Sequence, residues 1–175
     1  MKVVAIMVSS INGRVTDGSS SDIHSWTSVE DQRLFAKTLK KEKLIVMGSK
    51  TYEAGKKYRR VYPHQRRVVL TRTPQRYAKE AVLGAIEFTD RTPRQIVANT
   101  TKQGFARMLL VGGPQTNRGF FAAGLVDELW LTIEPVILGD GVPLIREGAW
   151  KKKFTLIASK KLNRRGTLLL TYAKL

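Results

Sequence analysis

Along the first two thirds of the chain, short apolar runs alternate with segments whose apolar positions recur at helical spacing; after that, strand patterns dominate. Residues 3–8 form an unbroken apolar run and predict a buried strand. "SINGRVTDGSSSD" follows, crowded with Gly, Ser, Asn and Asp, and predicts a loop. Residues 28–41 carry a helical period. Residues 44–47 predict a short strand ending at Gly48, and 50–55 a short helix. Strands are predicted at 68–71 and 86–88. Residues 92–103 predict a helix with Thr92 as N-cap and Pro93 in its first position. Residues 108–111 predict a strand and 114–123 a helix stopped by Gly124. A longer strand is predicted at 128–138, and 154–160 pairs with 168–173 across "NRRG" as a hairpin.

Near-continuous apolar strands separated by helices require a sheet buried on both faces. The expected fold class is therefore α/β, with three layers, α/β/α, around a mainly parallel central sheet and an antiparallel C-terminal hairpin at one edge. Without a linker, repeat or low-complexity tract, residues 1–175 are expected to form one domain.

Composition changes this picture little, and charge changes it more. With 42% hydrophobic and 26% charged residues, the 175-residue chain reads as an ordinary globular one. The early apolar run is too short to span a bilayer and has no cleavage signal after it, so neither a membrane anchor nor a signal peptide is expected. The lack of cysteine excludes disulfides, thiolate metal sites and a Cys nucleophile, and suits a reducing, cytoplasmic setting. The net charge of +17, from 31 basic against 14 acidic residues, favours anionic partners. The basic residues are scattered in short clusters such as Arg66-Arg67 and 151–153, with no basic tail. That distribution argues for a solvated basic surface and a small phosphorylated ligand, and against nucleic acid as the main partner.

Three strand ends carry chemistry suited to phosphate. In "VGGPQT", Gly112 and Gly113 separate a strand from a helix, so the main chain is bare where helix N–H groups are free. "VMGSKTYE" repeats the arrangement with Gly48, Ser49, Lys50 and Thr51. "VVLTRTP" adds Thr71 and Arg72, a hydroxyl and a guanidinium. Neither the P-loop pattern nor GxGxxG is present. The two readings of the glycine pair, a tight turn or contact with a charged ligand, both stand at this point.

One acid lies on an apolar face. At 100° per residue, Leu34, Phe35 and Leu39 define the inward side of the 28–41 helix; Asp31 falls between Leu34 and Phe35, whereas Glu30 faces solvent. An inward carboxylate must be hydrogen-bonded, and burial raises its pKa. Asp31 is therefore either an acid that handles a substrate proton or grips an N–H-rich ring, or a brace of the helix start near Ser28. Trp26 could wall a pocket or simply pack. His24 and His64 have no ligand-spaced partners, and no metal is expected.

Taken in order, "SSINGRV", "WTSVED" followed by "LF", "VMGSKTYE", "RRVVLTRTP", "LLVGGPQT" and "GLVDELWLTIEPVILGDGVPLI" resemble the dihydrofolate reductase-like superfamily, over nearly the whole chain. The resemblance is closest to its riboflavin-pathway branch, the reductase domain at the carboxyl end of bifunctional deaminase-reductases. It implies NADPH as cofactor, with the pyrophosphate on Gly112, Gly113, Gln115 and Thr116 joined by Gly48, Lys50 and Thr51. It also implies the 2′-phosphate near Ser49, Lys50, Thr71 and Arg72. Asp31 matches the family's ring-gripping acid, Trp26 keeps the family's spacing to it, and Thr132 matches the residue that hydrogen-bonds it. Phe35 joins Asp31 on the substrate side. The implied reaction is hydride transfer to a small heterocyclic substrate, a ribosylamino-pyrimidine whose 5-phosphate would meet Arg14 and Lys57; dihydrofolate is the alternative. Dihydrofolate reductases carry an Arg for the folate tail where this chain has Gln65, and the branch's usual Leu-Asp-Gly core reads Ile11-Asn12-Gly13 here. The branch further implies a homodimer.

Overall fold

In a computed structural model of the chain, residues 1–20, 22–58, 60 and 62–175 are described. Strand β1 (Lys2–Ser10) leads through a short 3-10 turn (Ile23–Ser25) to helix α1 (Val29–Lys41). Strand β2 (Leu44–Gly48), helix α2 (Ser49–Ala54), β3 (Arg66–Leu70) and β4 (Ile86–Thr89) follow. Then come α3 (Pro93–Lys102), β5 (Arg107–Leu110), α4 (Pro114–Ala122), β6 (Glu128–Glu134), β7 (Phe154–Lys161) and β8 (Leu168–Lys174).

The strands form one eight-stranded sheet in the order β4-β3-β2-β5-β1-β6-β8-β7. All neighbours from β4 to β6 are parallel, and β8 and β7 join antiparallel at the edge. Alternation along the strands divides the core. Val3, Ala5, Met7, Val46, Val68 and Leu110 pack with Ile96 of α3 and Phe120 and Phe121 of α4. On the opposite face Val4, Ile6, Ile45 and Leu109 pack beneath Phe35 and Leu39 of α1, and Tyr52 of α2 closes over Val69 and Ile86. The α/β/α layering and the terminal antiparallel hairpin are those expected from the sequence. Val4, Val46, Ile45 and Leu109 are fully buried, and an aliphatic side chain of their kind contributes about 1.5–3 kcal/mol when removed from water.

Helix ends follow local chemistry. Thr92 and Gln95 form a reciprocal capping box on α3, with Pro93 in the first turn. Ser28 caps α1 by accepting the Asp31 N–H. The strand predicted at 128–138 ends instead at Glu134. Pro135 has no N–H to continue the ladder, and the Val136 N–H turns back to the Glu134 carbonyl at 2.8 Å. Likewise β3 stops at Leu70, leaving Thr71 and Arg72 just beyond the strand.

Candidate active site at the carboxyl edge of the sheet

Because β1, β2, β3, β5 and β6 run parallel, their carboxyl ends share one edge, and the motif residues meet there. The β2 and β5 ends are tied by the Gly48 N–H donating to the Gly112 carbonyl at 2.8 Å. A Cβ on Gly48 would lie 2.5 Å from Thr116 Oγ1, and one on Gly113 would lie 2.9 Å from Thr51 Oγ1. The glycines thus let two helix starts and their hydroxyls converge on bare backbone. Gly48 precedes α2 and Gly113 precedes α4; neither helix has a side-chain cap or an acid in its first turn. Their leading N–H groups form a surface suited to anionic oxygen. Ser49, Lys50 and Thr51 open α2, and Gln115 and Thr116 open α4. Thr71 and Arg72 lie beside them, because Leu70 of β3 is the register partner of Gly48.

Next along the edge lies the acid. Asp31, in the first turn of α1, is 6% exposed, and Thr132 of β6 is 1% exposed. Burial pushes the Asp31 carboxyl up to about 6; the hydrogen bond from Thr132 opposes the rise, the charge of Glu134 adds to it, and His24 works against it. At the helix start it is the Asp31 backbone N–H, not its side chain, that bonds to Ser28. Glu30, one residue earlier, is exposed and accepts from Asn163 Nδ2 at 3.2 Å.

Reading the sequence missed Glu134. It is 3% exposed, its Oε1 accepts from the Ser28 N–H at 2.8 Å and the Ser28 hydroxyl at 2.7 Å, and its Oε2 accepts from the Thr167 hydroxyl at 2.7 Å. The signal was available: Glu134 stands two residues after Thr132 on one strand and so shares its face.

Phe35 is half-buried against the sheet with Met47, Val111 and Trp130. Trp26 is half-buried in the segment before α1. Arg14 donates from Nη1 to the Gly141 carbonyl at 3.2 Å, joining the loop after β1 to the loop after β6. The Lys57 side chain lies outside the described residues. Asn12 is a structural tie: its Nδ2 donates to the Leu138 carbonyl at 2.6 Å, and its Oδ1 accepts from Leu138 N at 3.1 Å and Ser10 Oγ at 2.7 Å. Only an amide supplies both roles at that point. Gln65, at the position of the folate-tail Arg, is 3% exposed and donates to the Leu39 and Glu42 carbonyls at the end of α1. Among the described residues, no three His, Asp or Glu side chains come together in a metal-holding group, and no helix is long and apolar enough to cross a membrane.

A mainly parallel sheet whose carboxyl edge joins a glycine-lined anion surface to the buried acids Asp31 and Glu134 belongs to an α/β domain of the dihydrofolate reductase-like fold. The chain belongs to the RibD C-terminal domain family, whose model matches residues 1–168. It is similar in structure to a Shewanella sp. PV-4 protein provisionally named as a riboflavin biosynthesis protein, with 23% identity and a TM-score of 0.79, covering 100% of this chain and 99% of that one. It is also similar to dihydrofolate reductase from Enterococcus faecalis complexed with NADP(H) and RAB-propyl, with 18% identity and a TM-score of 0.69, covering 99% and 96%. By sequence it is 29% identical over 119 residues to the uncharacterised protein YwjB of Bacillus subtilis (strain 168), covering 67% of this chain and 66% of that protein.

Proposed function

We propose that the chain is an NADPH-dependent reductase acting on 5-amino-6-(5-phosphoribosylamino)uracil. The observation that carries this reading is that the buried Asp31 and Thr132 lie at the same sheet edge as the cradle of Gly48 and Gly113. Membership of a riboflavin-type reductase family supports the reaction class, and the NADP(H) named with the Enterococcus faecalis structure supports the cofactor.

The residues present fit a dinucleotide. A side chain at Gly48 or Gly113 would collide with Thr116 or Thr51, so backbone rather than side chain faces the diphosphate. Gln115 and Thr116 would hold that group with the first turn of α2. Ser49, Lys50, Thr71 and Arg72 would meet the 2′-phosphate. Bound NADPH supplies the hydride; the chain's own part is orientation and proton control.

Asp31 is the residue that grips the ring. A carboxyl held up to about 6 exists in both forms near neutrality. Ionised, it accepts from ring N–H groups; protonated, it can donate the proton that accompanies the hydride. Thr132 fixes its direction from β6, while Phe35 and Trp26 wall the ring. Arg14 and Lys57 would meet the 5-phosphate. Dihydrofolate finds no cation at Gln65, which is committed to the end of α1.

The test is a substrate panel with the purified protein. Oxidation of NADPH with the aminouracil substrate, slower oxidation with dihydrofolate and thermal stabilisation by NADPH are expected. Stabilisation by short DNA, with no response to NADPH or NADH, would instead identify a basic nucleic-acid-binding module.

A further inference from the structure

We propose that Glu134 is the positioning residue for Asp31, holding the first turn of α1 on the sheet through Ser28 and standing as a second buried carboxylate behind the ring-gripping one. The reaction it serves is the one proposed above; its link to Asp31 is a property of the chain alone.

The geometry is a short chain of bonds. Glu134 ends β6, two residues after Thr132. Its Oε1 takes both the N–H and the hydroxyl of Ser28, at 2.8 and 2.7 Å, and Ser28 Oγ in turn accepts the Asp31 N–H at 3.3 Å. One carboxylate therefore sets the helix cap from which Asp31 projects. Its other oxygen takes the Thr167 hydroxyl at 2.7 Å, and Thr167 Oγ1 accepts from Asn163 Nδ2 at 2.8 Å. Both hydroxyls already accept elsewhere, so each has its hydrogen to donate to Glu134. Asn163 also reaches Glu30, fastening the same helical turn to the β7–β8 connection.

A neutral isostere would make most of these bonds, so the charge needs its own reason. A buried carboxylate is tolerated when donors surround it, and Glu134 has three. What the charge adds is a field at Asp31. The groups facing Asp31 are His24 from the segment before α1, which favours its charged form, and Glu134 from β6, which disfavours it. From β1 the end residues Ser9 and Ser10 are uncharged. On the helix itself Glu30 points to solvent, toward Asn163, Arg33 and Arg165. Burial does most to raise the Asp31 carboxyl, and Glu134 is the one negative group among these that adds to that rise from within the protein.

The experiment follows the Asp31 carboxyl carbon by NMR across pH in the ligand-free protein, for wild type, Glu134→Gln and Thr167→Val, with thermal melts beside each. Glu134→Gln should move the Asp31 midpoint toward acid by about 0.5 pH or more. Thr167→Val strips one of the three donors that hold the Glu134 carboxylate in place and should move the Asp31 midpoint the same way by less; it also carries the test if the Gln variant does not fold. In turnover, the pH limb of kcat should follow the midpoint while NADPH affinity stays unchanged. Midpoints equal to wild type in folded variants would overturn the proposal. A moved midpoint with no turnover of any reductase substrate would sink the reaction and leave the pairing intact.

Discussion

At the scale of single residues, the cost and use of Asp31 can be separated. Folded, its carboxyl keeps a proton up to about 6; its ordinary value is 3.8. Between those values the folded state binds more protons than the unfolded one, so stability falls as pH rises through the window. Asp31→Asn removes that cost and keeps an acceptor for Thr132. At pH 7 the variant should be more stable, on the order of 1–3 kcal/mol, with a flatter melting profile between about pH 4 and 6. Turnover should fall by about 10²-fold or more while NADPH affinity is nearly unchanged. Melts and a cofactor titration check both halves, and equal losses of turnover and affinity would refute the assigned role.

At the scale of elements, the β5–α4 junction does one job and the loop tie another. Gly113 has an extended backbone conformation that any residue adopts, φ −74° and ψ −170°, so its lack of a side chain serves space rather than conformation. Gly113→Val would push against Thr51 Oγ1 and cover the main chain between α2 and α4. NADPH affinity should drop by about 100-fold or more, whereas the fold, whose core lies below this edge, should melt within a few degrees of wild type. Unchanged affinity in a calorimetric titration would mean that the glycines serve only the turn. The loops after β1 and β6 are joined by Asn12, Arg14 and the Val15 N–H bond to the Val142 carbonyl at 2.9 Å. These bonds tie the two loops into one rim of the site.

At the scale of the whole molecule, the charge of +17 is an excess that pairing cannot absorb, with 31 basic residues for 14 acids. Described ion pairs such as Lys2–Glu128 at 2.6 Å and Arg91–Glu87 at 2.6 Å lie at the surface, with Lys2 51% and Arg91 47% exposed at the side chain. Such pairs add little, so repulsion among the remaining cations dominates. The melting temperature should rise by several degrees between about 20 mM and 300 mM sodium chloride, because screening reaches below 10 Å across that range. A fall in melting temperature would mean that attractive pairs outweigh the repulsion.

The periodicity of the chain was enough to determine the layers, the parallel strands and the inward turn of Asp31, because burial imposes a period of two or 3.6 on any segment that packs. The bare backbone at Gly48 and at Gly112-Gly113 was legible for a similar reason: a missing side chain is visible in the letters themselves. What the letters did not carry was distance. Glu134 read as one acid in a long strand until Pro135 ended β6 there and Ser28, more than a hundred residues away, was found on its oxygen. Asn12 and Gln65 stood as departures from a motif until their amides were seen bonded to Leu138 and to the end of α1. Local pattern determines which face a residue takes; only the closed sheet decides which remote groups share that face, since their meeting depends on strand order and register rather than on neighbours in the chain.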